Sequence, residues 1–260
     1  MKKLLIGLAL AALSAQAGMV NIVDQTRKQN ADMIAGATNL IDTYTVQEGD
    51  VIAFTASANA ASRIQTNDLS FSGTAGFAWT EQANVSSGGG AIVTYWYGTS
   101  TSTGTLDLNY IFEANHTAIA GYQLRAADTG EHVILGSLAT FTQKHDSANG
   151  SPALVYDFGS QTYESGISIE AFSSYNAWTG IPVDTTDSIT ANNKFGAGHS
   201  TFSTSMTGTD LTSAYTLTLD GTNAAAIAGM TFVAVPEPAT IGLISMFGGS
   251  LLVIRRIFSI

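Results

Sequence analysis

The chain has 260 residues, with ten basic and twenty acidic residues and a formal net charge of −10. Such an acidic surface repels nucleic-acid phosphates and anionic membranes, and the absence of cysteine excludes disulfides, thiolate metal sites and thiol catalysis. Charged residues make up only 12% of the chain, too few for long exposed helices supported by Lys and Glu. Together with the abundance of Thr, Val, Ile, Tyr and Phe, this composition predicts an all-β protein.

The N-terminus has the three parts of a secretory signal peptide. A basic start is followed by an apolar run at residues 4–13, and Ala15 and Ala17 occupy the small-residue positions of a cleavage site. We predict that signal peptidase removes residues 1–17, which would form a signal helix. The mature chain then begins at Gly18, outside the cytoplasm.

The middle of the chain has the pattern of a β-sandwich. Residues 18–42 are the least strand-like, with a short helical turn expected at residues 30–36, and we interpret them as an N-terminal lead segment. Between residues 43 and 234, short apolar or alternating runs are separated by Gly, Ser and Asp turns. Residues 51–56 are predicted to form a central strand, and residues 91–97 form the strongest strand pattern in the chain.

The order of short motifs in the first half recurs in the second. The sequence Ala-Ile-Ala-Gly at residues 118–121 returns at residues 226–229. Three further pairs occur in the same order: 43–45 with 140–142, 49–54 with 150–156, and 106–110 with 215–219. We interpret these as pseudo-repeats of about 43–127 and 138–234. The connection between them lacks a linker composition, which favours one jelly-roll-like two-sheet sandwich over two tandem domains.

The C-terminal segment, residues 235–260, has three parts: a proline-containing motif, a predicted transmembrane helix at residues 239–254, and a basic end. The motif consists of Val235, Pro236, Glu237 and Pro238. The apolar side chains of the predicted span include Ile241, Leu243, Ile244, Leu251, Leu252 and Val253. Arg255 and Arg256 form a basic stop that is expected to remain in the cytoplasm.

This tail resembles the PEP-CTERM sorting signal of exported and envelope proteins of Gram-negative bacteria. In that family the Pro-Glu-Pro motif is read by exosortase, a membrane-embedded processing enzyme. The resemblance implies transient anchoring in the inner membrane, followed by release to the cell envelope or extracellular matrix, where extracellular polysaccharide is a candidate partner. The chain departs from the family in the four residues after Arg256. The alternatives are a plain single-span anchor and a buried apolar helix that ends the domain.

No catalytic constellation is recognisable in the sequence. The Gly-x-Ser-x-Gly elbow is absent, and the four histidines are scattered without metal-ligand spacing. Glu164 and Glu170 flank a short predicted strand, and we interpret them as solvated charges rather than the carboxylate pair of a glycosidase. The clusters at residues 184–187 and 220–223 favour turns over calcium sites. We therefore predict a non-enzymatic protein without a metal or other cofactor.

Carbohydrate binding is the alternative function, because exposed aromatic rings can stack on sugar faces. The candidate rings are Trp79, Tyr95, Trp96, Tyr97, Tyr175 and Trp178. Trp96 lies in the strongest predicted strand and is expected in the core, whereas Trp178 and Tyr175 lie in a predicted loop and form the candidate glycan platform. A polysaccharide hydrolase with an unrecognised site is the third hypothesis.

Overall fold

In the described part of the chain, antiparallel sheets account for nearly all regular structure, so the all-β prediction is confirmed. The computed structural model describes residues 18–29, 32–58, 68–87, 90–112, 117–143, 155–163, 165–174, 178–179, 189–191, 195–202, 206–210, 218–219 and 224–236. The predicted signal helix and membrane helix lie outside these residues.

The first half of the chain forms two sheets. Its strands are β1 (Val20–Gln29), β2 (Ala37–Val46), β3 (Val51–Ala58), β4 (Leu69–Gly73), β5 (Phe77–Ser86), β6 (Ile92–Ser100), β7 (Gly104–Phe112) and β8 (Thr117–Ala126). Five of them form a sheet in the order β1-β8-β3-β6-β5, which we call the N-terminal inner sheet. The other three form the N-terminal outer sheet, in the order β2-β7-β4.

The second half forms a corresponding set of strands. They are β9 (Glu131–Gln143), β10 (Tyr156–Tyr163), β11 (Gly166–Ser174), β12 (Trp178–Thr179), β13 (Ile189–Ala191), β14 (Phe195–Phe202), β15 (Met206–Asp210), β16 (Thr218–Leu219) and β17 (Ala225–Pro236). The C-terminal inner sheet has the order β13-β14-β11-β17-β9, and β10-β15 forms the C-terminal outer sheet. A short ladder joins β12 to β16.

The two inner sheets pack face to face around one apolar core. That core includes Tyr95, Tyr97, Tyr122, Leu124, Ile167, Ile169, Met230 and Phe232. A second core, between the N-terminal inner and outer sheets, includes Tyr44, Ile52, Phe54, Trp96, Leu106 and Tyr110. The N-terminal inner sheet is therefore buried on both faces, which is why every residue of β3 is buried. The expected two-sheet sandwich was too simple, because each half contributes an inner sheet and an outer sheet.

Trp96 illustrates this layering. Its side chain is fully buried against the outer sheet, while Tyr95 and Tyr97 on the opposite face of β6 belong to the core between the inner sheets. Neighbouring residues of a strand point to opposite faces, so the alternation in residues 91–97 separates two cores rather than core from solvent. The predicted core position of Trp96 is confirmed.

The two inner sheets have matching strand orders, because in each half the first strand pairs with the last, and the third, sixth and fifth strands of that half follow. The order β1-β8-β3-β6-β5 corresponds to β9-β17-β11-β14-β13. The repeated Ala-Ile-Ala-Gly sequence lies in β8 and β17, which occupy equivalent places. The motif at residues 43–45, which is similar to residues 140–142, lies in β2, whereas residues 140–142 lie in β9. These two strands do not occupy equivalent places. The topological correspondence begins at β1 and β9 rather than at residues 43 and 138.

The lead segment, residues 18–42, was predicted to be irregular, but it forms β1 and the first part of β2. Of the residues in β1, only Val20 and Thr26 are buried. A register shift between Ile22 and Asp24 also interrupts the alternation. An edge strand with a largely exposed surface and a bulge carries no clear period-two pattern, which explains the wrong prediction.

Candidate functional site

The two ends of the described domain meet beside β17. Gly18 forms an antiparallel bridge with Ala234. On the opposite edge of β17, Val235 pairs with His132 and Pro236 pairs with Glu131. We call this region the terminal pole and define it as Gly18, Glu131, His132 and residues 234–236. The chain therefore enters and leaves the described domain at one place.

Within the terminal pole, the Glu131 carboxylate lies against Gly18. A Cβ atom on residue 18 would collide with Glu131 Oε2, so the contact requires glycine. That oxygen is buried and has no hydrogen-bond partner. Burial raises the pKa of Glu131, and the nearby charge of Asp128 raises it further. The arrangement leaves a carboxylate oxygen available to a donor at the position of Gly18.

Two hydrogen bonds fix the backbone next to this carboxylate. Ser165 Oγ donates to the Gly18 carbonyl oxygen at 3.2 Å, and the Ala127 N–H donates to the Met19 carbonyl oxygen at 2.8 Å. These contacts come from residues far apart in the chain. No sequence spacing indicates that they meet, so Glu131 was missed by the sequence analysis.

An ion-paired cluster lines the same end of the molecule, around a cavity of about 280 Å³ shared with Glu131 and His132. Asp50 is almost fully buried and pairs with Arg125, with 2.6 Å between Arg125 Nε and Asp50 Oδ1. This hydrogen bond raises the pKa of Arg125. The other Asp50 oxygen accepts hydrogen bonds from Arg125 Nη2 and Gln123 Nε2 at 2.7 Å and from the Gln47 N–H at 2.8 Å. This cluster clamps the turn before β3, in which the Asp50 N–H donates a hydrogen bond to the Gln47 carbonyl oxygen.

Three half-buried aromatic rings cluster at the edge between the N-terminal inner and outer sheets. The ring centroids of Phe71 and Phe77 are 4.4 Å apart, and Trp79 lies 4.7 Å from Phe71 and 5.0 Å from Phe77. The rings line a surface cavity of about 330 Å³ together with Ser72 and Gly73. Phe77 and Trp79 share a face of β5 because they are two residues apart. This spacing was the available sequence signal for a surface aromatic pair.

Glu170 was interpreted as a solvated charge at a strand end, and this was wrong. It lies in the middle of β11 and is only 2% exposed. Its Oε1 accepts hydrogen bonds from Tyr156 Oη at 2.8 Å and from Ser168 Oγ at 2.9 Å, while Oε2 is buried without a partner. Burial raises the pKa of Glu170 to about 7, although the two hydrogen bonds act in the opposite direction. The carboxyl lies beneath Tyr156 of β10.

The remaining predicted site residues fall into two groups. Val235 and Pro236 are half-buried at the end of β17, so the strand extends into the motif and ends at its first proline. Trp178, predicted in a loop, instead lies in β12, where it pairs with Leu219. The other predicted positions lie outside the described residues: Ala15, Ala17, Tyr175, Glu237, Pro238, Ile241, Leu243, Ile244, Leu251, Leu252, Val253, Arg255 and Arg256.

Comparison with known proteins gives no match: no family model fits the chain, and no curated protein or solved structure is similar to it. Within the described ranges, no group of three or more His, Asp or Glu side chains could hold a metal ion. The part of the chain that the structure describes also contains no helix long and apolar enough to cross a membrane.

Proposed function

We propose that the chain is an exported, non-enzymatic protein of the cell envelope or extracellular matrix. It carries a removable signal peptide and a C-terminal PEP-CTERM-like sorting signal that an exosortase-type enzyme processes. The observation that carries this proposal is the bridge between Gly18 and Ala234, beside the first residues of the motif. A precursor held in the inner membrane at both ends needs both to leave the folded domain on the membrane side. The terminal pole satisfies that requirement.

The buried acidic groups support a non-enzymatic reading. Glu170 is enclosed beneath β10, and both oxygens of Asp50 accept hydrogen bonds from neighbouring groups. Each carboxylate is only 2% exposed, whereas glycoside hydrolysis requires an acid and a nucleophile that face the substrate. In this proposal the domain is a stable, acidic surface module, and its C-terminal sorting signal determines its location.

Replacing Pro236, Glu237 and Pro238 together by alanine is expected to abolish processing of the tail. The wild-type protein recovered from its own cells should end near Pro238, whereas the variant should retain Ile260 and remain in the inner membrane. Intact mass and cell fractionation measure both outcomes. Pro152→Ala, which lies outside the motif, is the matched control and should be processed normally. Identical mass and location for the triple variant and the wild type would contradict the sorting proposal.

A second candidate function, carbohydrate binding, is supported by the aromatic cluster of Phe71, Phe77 and Trp79. The rings are partly exposed, they border a cavity, and hydroxyl groups of Ser72 and Thr74 lie nearby along the chain. Aromatic rings with an apolar face and adjacent polar groups suit the faces and hydroxyls of a sugar. The class of ligand is then an extracellular polysaccharide.

Trp79→Ala is expected to weaken polysaccharide binding by about tenfold, equivalent to about 1.4 kcal/mol. Titration calorimetry on a glycan identified by array screening measures this change. Trp178→Ala tests the platform predicted from the sequence and should bind as the wild type does. Equal affinity for Trp79→Ala and the wild type, or no binding to any glycan, would count against this function.

We also propose that each half is a jelly-roll-like unit and that the chain arose by internal duplication. The shared strand order of the two inner sheets and the equivalent places of β8 and β17 support this. In each half the chain passes repeatedly between an inner and an outer sheet, as in the two sheets of a jelly roll, with one consecutive pair in the inner sheet, β5–β6 in the first half and β13–β14 in the second. The two units join through the core between their inner sheets.

A further inference from the structure

Glu131 Oε2 has no hydrogen-bond partner in the uncleaved chain, and it lies against Gly18, whose chemistry would change on the proposed export. Gly18 is the residue that follows the predicted cleavage site. When water adds across the Ala17–Gly18 amide, Ala17 keeps a carboxylate and Gly18 gains a protonated amine. A new positive charge then appears at the terminal pole.

We propose that Glu131 binds the α-ammonium group that cleavage after Ala17 creates on Gly18. This inference rests on the proposed export, because only cleavage produces the group. A Cβ on residue 18 would collide with Glu131 Oε2, and covalent geometry therefore places the Gly18 nitrogen within about 4 Å of that oxygen. Oε2 is buried and has no other hydrogen-bond partner, so it can accept from the ammonium.

The surroundings favour this pairing over any other for the new cation. Asp128 in the preceding turn adds a second negative charge near Glu131. His132 is the next residue of β9, and Glu48, Asp50 and Arg125 line the same cavity. Arg125 is already paired with Asp50, which leaves Glu131 as the carboxylate with an unused buried oxygen. The segment of β17 opposite contributes Ala234, Val235 and Pro236, none of which is charged.

The ion pair would link the two processed ends of the chain. Glu131 pairs with Pro236 across β9 and β17, so its side chain and backbone together connect Gly18 to the start of the sorting motif. Removal of the signal peptide then creates an ion pair that stabilises the end of β17, where the C-terminal segment begins. Glycine at position 18 serves this contact because it leaves room for the carboxylate.

An opposite charge at this distance raises the pKa of the amine above its ordinary value of about 7.7–8.0. The pair contributes stability below about pH 8 and loses it as the pH rises through the raised pKa. An increase of about one pKa unit makes the neutral, reactive amine about fivefold rarer at pH 8. The amine should therefore react with acetic anhydride about fivefold more slowly than without Glu131.

The test uses the mature protein recovered from its own cells, with acetylation of the N-terminal peptide followed by mass spectrometry at several pH values. Glu131→Gln should increase the labelling rate at pH 8 about fivefold. Gly18→Ala should do the same, because its Cβ displaces the carboxylate. Glu48→Gln removes an exposed carboxylate that lines the same cavity and should label as the wild type does.

The outcomes separate this inference from the export proposal. An N-terminus other than Gly18 would overturn both the predicted cleavage site and the ion pair. An N-terminus at Gly18 with equal labelling rates in the wild type and Glu131→Gln would overturn the ion pair alone. Circular dichroism establishes that each variant is folded, and the two substitutions act on opposite sides of the same contact.

Discussion

Replacing Asp50 by asparagine is expected to lower the free energy of unfolding by about 3 kcal/mol, at the low end of the range for breaking a buried ion pair. Asp50 is 2% exposed, and its two oxygens accept hydrogen bonds from Arg125, Gln123 and the Gln47 backbone. An asparagine side chain has nearly the same shape, but it turns one acceptor into a donor that faces other donors. The loss stays near 3 kcal/mol because the Arg125 side chain is 31% exposed and water can solvate it.

Urea unfolding at pH 7, followed by tryptophan fluorescence, measures this change. Asp107→Asn is the matched control, because Asp107 accepts one hydrogen bond, from Thr43 Oγ at 2.7 Å, at an exposed site. Its loss should cost at most about 1 kcal/mol. If both substitutions change the midpoint equally, the Asp50 cluster does not clamp the turn before β3.

The buried strands were predictable because burial on both faces leaves long apolar runs in the sequence. Residues 51–56 lie in β3 and residues 92–97 lie in β6, and both strands have a covered layer on each side. β1 was not predictable in the same way, since it has one exposed face and a register shift. The local hydrophobic pattern indicates which faces of a strand are buried. An edge strand such as β1 forms because it pairs with a neighbour, here β8, and that pairing is not visible in the local pattern.

The contacts of the candidate sites depend on pairing between distant residues, which local sequence does not specify. Glu131 and Gly18 meet only because β9 and Gly18 lie on opposite edges of β17. The repeated Ala-Ile-Ala-Gly motif marks the equivalent strands β8 and β17, whereas the similarity of residues 43–45 to residues 140–142 joins β2 to β9. Such a similarity arises between strands that are not equivalent because alternation of Thr with apolar residues is typical of strands in general.

Glu170 shows what the corresponding positions of the two halves reveal. In the first half, Phe54 of β3 pairs with Gly121 of β8, and in the second half Glu170 of β11 pairs with Gly229 of β17. Glu170 therefore occupies the place of a core aromatic residue. Tyr156 of β10 covers it and donates a hydrogen bond to Oε1. A carboxyl group at such a place is kept in its neutral form more readily than in water.

The pH dependence of folding should report this carboxyl group. Its pKa rises from 4.5 to about 7 in the folded protein, chiefly through burial. The folded state therefore retains a proton that the unfolded state releases between about pH 4.5 and pH 7, and stability falls as the pH rises through this window. At 1.36 kcal/mol per unit, the free energy of unfolding should decrease by about 3 kcal/mol across it. Below and above the window, Glu170 contributes no further change.

Glu170→Gln isolates this contribution, since glutamine keeps an acceptor for Tyr156 and Ser168 but cannot ionise. At pH 8 the variant should be more stable than the wild type by about 3 kcal/mol, and at pH 4.5 the two should agree within about 1 kcal/mol. Urea unfolding at both pH values measures the difference, with Glu48→Gln as the exposed control that should change little at either. A difference between wild type and Glu170→Gln that stays constant with pH would mean that Glu170 does not bind its proton more tightly in the folded state. The drop in stability would then have to arise elsewhere, with Glu131, whose pKa is also raised, as the next carboxyl group to replace.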